Sequence, residues 1–474
     1  MHTSIRMAAK LLLLAAAFTP SLLAMTQNGQ QQGNQAKTEE GVEVQARGQI
    51  HEAYASPALE KQTPNPIVKK KPPEAVNELP PDQKPQGENV QWIPGYWMWD
   101  DDRTDYLWVS GTWRNIPPEK RWMPGYWTEA DAGYRWISGY WMDQGEAQVN
   151  LYPTPPDPIE EAIPELENNE QTYVPGIWVY RDNRYWWRPG FRMALRPNWM
   201  WTPASYRWTP GGYAFVDGYW DYDLGYRGIA FAPVYFNSGI IQRPGWYYRP
   251  SYVIGTDFLL GSLFINTGWH HYYFGDYYDG RYARQGYTPW ANYRTHNRYY
   301  DPLFTYYRWQ HRNEPNWERN IQNTFTARRD NASTRPARTL TQPGAGTASN
   351  SKEQALISLN EWKGEQFKLE RHTVPTDKPI TDPFNQVRTQ RSQNEGRNRT
   401  SLYSPDNNAG KVAGKQETAK TVTPPAEVTR RYEMPKSEHI YRPPTGNMAP
   451  PQRPVHPQPQ QHALPHGGSP PNKK

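Results

Sequence analysis

The chain has 474 residues with 48 Pro, 22 Trp, 33 Tyr and no Cys; 36% of it is hydrophobic, and its formal charge is +6. The missing cysteines exclude disulfides, thiolate metal sites, cysteine nucleophiles and a lipid-bearing cysteine, while interleaved rather than clustered basic residues argue against a nucleic-acid footprint. With aromatic residues at 14%, the core is expected to be built from large rings, which favours strands.

Residues 1–25 read as a signal peptide: Arg6 and Lys10, the apolar run Leu11 to Ala17, the breaker Pro20, and a small-residue exit near Ala24 to Thr26. The run is too short for a spanning helix, so no transmembrane span is expected in the mature chain. Loss of Arg6 and Lys10 with the signal would lower the charge from +6 to +4. The expected address is the periplasm, the cell envelope or the exterior.

Residues 26–90 are rich in Gln, Glu, Lys and Pro, as at Pro72-Pro73 and Pro80-Pro81, and read as a disordered spacer. A repeat block follows at 91–142: Trp92-x-x-Gly95-x-Trp97, Trp108-x-x-Gly111-x-Trp113, Trp122-x-x-Gly125-x-Trp127 and Trp136-x-x-Gly139-x-Trp141. After an acidic, Pro-rich linker at 143–172, a second block at 173–220 runs Tyr173-x-x-Gly176-x-Trp178, Trp187-x-x-Gly190-x-Arg192, Trp201-x-x-Ala204-x-Tyr206 and Phe215-x-x-Gly218-x-Trp220. Within each block the fourth motif residue recurs every 14 positions, save one interval of 16.

Tyr106, Tyr134, Tyr185 and Tyr213 stand two residues before every second copy, so the unit is about 28 residues containing two strands. Turn residues such as Asp100-Asp101-Asp102-Arg103, Asp131-Ala132-Gly133 and Arg181-Asp182-Asn183-Arg184 lie between the strands and predict hairpins. Because single hairpins are marginal in water, two are expected to share a four-stranded sheet, one sheet per block, in a sandwich or propeller-like arrangement. The repeated Gly fits either a bulge or a close backbone approach.

At 221–330 the texture becomes that of a smaller mixed α+β domain. The run Tyr252 to Ile265 reads as a buried strand or short helix, since it is short and holds Asp257. Trp317, Ile321 and Phe325 predict an amphipathic helix, with a companion starting after Pro302. Residues 331–374 read as a linker with a possible strand around Ala355 to Leu359, and 375–474 as a disordered Pro-rich tail. The fold class is therefore mainly β: tandem antiparallel hairpin repeats in two four-stranded sheets, the mixed domain, and long disordered ends.

The strings at 92–220 resemble the YXWGXW/WXXGXW repeat family of exported bacterial proteins, with departures at Tyr173, Arg192, Ala204, Tyr206 and Phe215. The resemblance implies an exported address and an architecture, and no established activity. A looser likeness is to choline- or glucan-binding aromatic repeats of bacterial surface proteins, whose spacing differs from the 14 residues here.

No nucleophile elbow, HExxH or phosphate-cradling loop occurs, so no enzyme activity, catalytic residue or cofactor is expected. His270-His271 with Asp276 and Asp279 is the best metal candidate, but its spacing fits no standard ligand motif and no metal is assigned. The acids of Asp100 to Asp102 and Asp221-x-Asp223 read as solvated turn residues rather than a calcium site.

Across the eight copies the first motif position is always aromatic, which suits burial. The last admits Arg192 and is expected near solvent. Trp97, Trp113, Trp127 and Trp141 are therefore the expected ligand-binding rings, since flat aromatic faces can cover the C–H face of a sugar. The expected function is non-catalytic binding of a cell-surface or extracellular glycan, the alternative being a structural scaffold that holds envelope proteins.

Overall fold

Each motif copy forms two short strands rather than one. In the computed structural model, which describes residues 39–146, 149–297, 300–342, 354–364, 366–374 and 382–402 (side chains of 294–297 and 396–402 excepted), Val90–Ile93 and Tyr96–Asp100 flank Pro94-Gly95. Asp105–Val109 and Thr112–Asn115 flank Ser110-Gly111 in the same way. Tyr96–Asp100 pairs antiparallel with Asp105–Val109, placing Trp97 opposite Trp108, and Val90–Ile93 pairs with Thr112–Asn115, placing Trp92 opposite Trp113. Two copies thus zip into one hairpin, 90–115, bent at its glycines.

The same construction recurs at 120–143, 171–194 and 199–222. The mainly β, hairpin-rich fold class holds, while the picture of two four-stranded sheets is approximate because the two halves of a bent hairpin join different sheets. In the first hairpin the tip half is extended by Val234–Phe236 and Val42–Val44, and the base half by Gly228–Ala230. The second hairpin gains Ile67–Val68 and the fourth gains Leu151–Tyr152. The third pairs with no strand outside itself among the described residues.

The described residues belong to one compact unit, Thr38–Lys474; the segment expected to be a signal peptide and the chain from 403 onward lie outside them. Within this unit the expected spacer is corrected, because residues 39–90 are core-forming: Ala46, Ile50, Ala53 and Leu79 are all buried. Gly48–Gln49 pairs with His271–Phe274, and Glu78 bridges to Tyr248. The physical reason is that low average hydropathy did not reveal a segment that threads between hairpins as extended chain, with its polar groups consumed by neighbouring backbone.

The boundary expected at 221 is likewise crossed by shared sheets, and one aromatic core runs from Val44 to Leu356. Tyr96 stacks on Trp136 at 4.7 Å, and Trp97 meets Phe236 edge-on at 6.1 Å. The run at 252–266 resolves into Tyr252–Ile254, a short helix Thr256–Gly261, and Leu263–Asn266. The expected helices occur at Pro302–Gln310, capped by Asp301 with Pro at its start, and at Trp317–Asp330, which buries Phe325.

Leu356–Ser358 pairs with Tyr252–Ile254, and Leu369–Arg371 with Gln83–Pro85. The expected tail region also contributes a helix, Asn385–Leu402, whose Arg391 is buried against the second hairpin. Its guanidinium donates to the Pro124 and Ser138 carbonyls, pairs with Glu395, and lies 4.7 Å from the Tyr140 ring. That corrects the expectation for 385–395: a helix with few apolar residues docks through one satisfied ion pair rather than through an apolar stripe.

Candidate functional site: the bent hairpins and the groove of the second block

The motif has a reciprocal geometry. A Cβ on Gly111 would lie 2.4 Å from Trp92 Cζ2, and one on Gly95 only 2.7 Å from Trp108 Nε1 and 2.3 Å from the Val109 carbonyl. The first-position ring of each copy therefore lies on the glycine of its partner copy. Gly125 with Trp136, Gly139 with Trp122, Gly176 with Trp187, Gly190 with Tyr173 and Gly218 with Trp201 repeat the contact at 2.2–2.6 Å. This decides between the two readings of the glycine: it is a close approach, needed so that a ring can seat on bare backbone. In the fourth hairpin Ala204 replaces the glycine and the smaller Phe215 replaces the tryptophan, and both pack against the cluster of Ile177, Tyr206 and Tyr213.

A glutamate fills each of the first three bends. Glu78 accepts from Gly95 N at 2.7 Å, Gly111 N at 3.0 Å and Trp108 Nε1 at 2.9 Å. Glu52 accepts from Gly139 N at 2.8 Å and Trp136 Nε1 at 3.3 Å. Glu161 accepts from Gly176 N, Gly190 N, Trp187 Nε1 and the Tyr173 hydroxyl at 2.8–3.1 Å. These bonds satisfy the amides that the bend removes from the strand ladder.

Burial pushes Glu52 and Glu78 up to about 7, against the donors that favour the carboxylate. At the more open third bend burial also raises Glu161, but Trp187, Tyr173 and the two glycine amides outweigh it and hold the group below the usual carboxylate range. Among the described residues no glutamate fills the fourth bend. The Phe215 ring lacks an N–H, Gly218 N bonds its neighbour Asp217, and Trp201 Nε1 is buried with no partner among the described residues.

These glutamates escaped the sequence reading, although a signal existed. Pro72-Pro73-Glu74-x-x-x-Glu78 and Pro155-Pro156-Asp157-x-x-x-Glu161 are two copies of one string. Their first acids play matching parts, since Trp97 Nε1 donates to the Glu74 carbonyl and Trp178 Nε1 to the Asp157 carbonyl. The acidic linker is thus a bend-filling element.

The four rings expected to face a ligand do not form an exposed row. Trp97, Trp113 and Trp141 are each 5% exposed. Trp97 packs edge-on against Trp108, Trp113 against Trp92 and His372, and Trp141 lies near Trp122 with the Arg114 guanidinium 5.2 Å from its ring. Trp127, half-buried, donates to the Trp97 carbonyl. The premise failed because Arg192 sits on the hairpin that, among the described residues, no outside strand covers, so its exposure does not transfer to the covered copies.

Exposed rings occur instead in the second block, at Trp186 (46%) and Phe191 (40%). The Arg184 guanidinium lies 3.9 Å from the Trp186 ring, and Arg181 is paired opposite Arg184 beside the left-handed turn residues Asp182 and Asn183. Next to this hairpin lies a groove of about 280 Å³ lined by Glu60, Ile159, Glu160, Ile163, Tyr173 and Trp187 among others. Ile159 and Ile163 are exposed at its rim. Burial pushes Glu60 up to about 7, with the Glu161 charge adding to the rise and Lys61 opposing it.

The histidine cluster is not brought together as a ligand set. His270 bonds Thr63 and Asn65, His271 faces Glu52 at 3.5 Å, Asp276 pairs with Arg338, and Asp279 caps the helix Gly280–Arg284. Asp102, in the first turn, pairs with Arg47. Among the described residues no group of three or more His, Cys, Asp or Glu could hold a metal ion, and no helix is long and apolar enough to cross a membrane.

These features define a protein of bent aromatic hairpins, each closing two motif copies around paired glycines. Residues 91–114, 121–142, 171–190 and 196–221 match the model of the WXXGXW repeat (2 copies), so this part of the chain carries several copies of that repeat. No curated protein and no solved structure matches it.

Proposed function

We propose that the chain is an exported, non-catalytic interaction protein of the cell envelope, with the first block closed as core and the second block presented as the contact face. The observation that carries this reading is the contrast between blocks: Trp97, Trp113 and Trp141 are consumed by packing, whereas Trp186, Phe191, Ile159 and Ile163 are exposed on and beside a hairpin with unpaired edges. Exposed apolar groups beside free strand edges favour protein contact. Export rests on the N-terminal signal pattern.

A photo-crosslinking residue at position 186, introduced into the full chain in intact cells, tests the reading. Capture of an envelope protein that is lost on Phe191→Ala supports it; capture of cytoplasmic proteins or of nothing refutes it. A second reading, glycan binding, is supported only at the groove, where the half-buried Tyr173 and Trp187 adjoin Glu60. A glycan array probed with the full chain and with Trp187→Phe, which keeps an apolar ring, tests that reading.

A further inference from the structure

We infer that the groove beside the third hairpin is a docking site for a basic, proline-rich segment, and that its occupant is this chain's own segment around Tyr441 to Pro454. The inference rests on the second block being a contact face and specifies what one part of it holds.

Three observations converge. The groove wall carries Glu60, Glu160 and Glu161, and among the described residues no Lys or Arg lines it, the neighbouring Lys61 being paired with Asp157. Four donors hold the Glu161 carboxyl below its usual range, and burial together with the Glu161 charge raises Glu60 against the opposing Lys61 charge, an environment that favours an incoming cation. The rest of the lining is aromatic, proline and aliphatic: Tyr173, Trp187, Pro158, Pro175, Pro203 and the two rim isoleucines. An aromatic-lined groove with acids at its edge is the surface chemistry that recognises a polyproline II ligand carrying basic residues, because that ligand is already extended and loses little entropy on docking.

The chain supplies such a ligand. Residues 403–474 hold ten Lys and Arg against five Asp and Glu, with 14 Pro, and Arg442-Pro443-Pro444 and Arg453-Pro454 join both features. Arg442 lies 40 residues beyond Leu402, a span of about 120 Å when extended, so tether length does not forbid the contact. Tethering also raises the segment's local concentration far above that of a free competitor.

The test uses the full chain with a photo-crosslinking residue at position 163, on the groove rim, and mass spectrometry of the monomer-sized product. The expected product links position 163 to a peptide within 436–454. Arg442→Glu with Arg453→Glu, both outside the folded repeat, should lower its yield about tenfold, the effect of losing one charge-assisted contact. Glu60→Arg should do the same, and combining it with Arg442→Glu should restore part of the yield.

A product linked to a glycan, to another protein or to a distant part of the chain overturns the inference, as does a yield indifferent to the tail charges. Should Glu60→Arg unfold the protein, the tail substitutions decide alone. Position 186 reports on external partners and position 163 on the tail, so failure of one reading is distinguishable from failure of the other.

Discussion

At the scale of single residues, the buried glutamates and histidines set stability and its pH dependence. Removing Glu78 orphans two glycine amides and an indole N–H together, so Glu78→Ala should cost about 2–4 kcal/mol in urea unfolding, since each buried unpaired donor is expensive. Asp217→Ala, at the exposed fourth bend, should cost under about 1 kcal/mol. Equal costs would refute the bend-filling role.

His51 is fixed in one neutral tautomer, because the Ala53 amide can only donate to Nδ1 and the Pro94 carbonyl can only accept from Nε2. Burial pushes His51 down to about 3 and, with the Arg207 charge adding, His270 down to about 4. Groups lowered in this way contribute stability that is present above about 6.5 and lost as pH falls through the folded values. Glu52 and Glu78, raised to about 7, act oppositely: their contribution is present below about 4.5 and lost as pH rises through 7. Between those limits the trends oppose, so His51→Gln should flatten the acid side of the urea-midpoint profile relative to the parent. An unchanged acid side would mean that His51 titrates normally.

At the scale of the element, the reciprocal seating of ring on glycine predicts coupled substitutions. Gly125→Ala would place a methyl 2.3 Å from Trp136 Cζ2 and should cost about 1–3 kcal/mol by overpacking. The fourth hairpin already combines Ala204 with Phe215, so adding Trp136→Phe to Gly125→Ala should cost less than the two changes summed. Additive costs in the double-mutant cycle would sink the seating model. The rings divide in the same terms: Trp97→Ala and Trp141→Ala should cost about 3–5 kcal/mol, as should Trp108→Ala, because all three are buried. Trp186→Ala, at 46% exposure, should cost about 0.5 kcal/mol or less.

At the scale of the whole molecule, the repeat does not close on itself. The carboxylates that fill the first two bends come from Glu78 and Glu52, and the strands that widen the first hairpin come from Val42–Val44, Gly228–Ala230 and Val234–Phe236. A fragment of residues 91–142 should therefore lack fixed near-ultraviolet circular dichroism, and the full chain should lose it in one cooperative transition. A natively folded 91–142 fragment would show that the block is autonomous.

What the sequence alone determined follows from local periodicity: eight motif copies, antiparallel hairpins with turns at the expected places, and the two helices after Pro302 and at Trp317, whereas burial of the aromatic first position holds for Trp108, Trp122 and Trp136 and only in part for the other five copies. Each depends on residues within about 30 positions of one another, where spacing and turn chemistry suffice. Tertiary structure decided which rings stay exposed, because that depends on whether another part of the chain covers a given hairpin, and Trp97 and Arg192 occupy the same motif position under different cover. It also decided that 39–90 and 153–170 supply the bend-filling carboxylates: an isolated Glu in a Pro-rich stretch looks solvated until a bent hairpin elsewhere presents two amides and an indole N–H with no other acceptor.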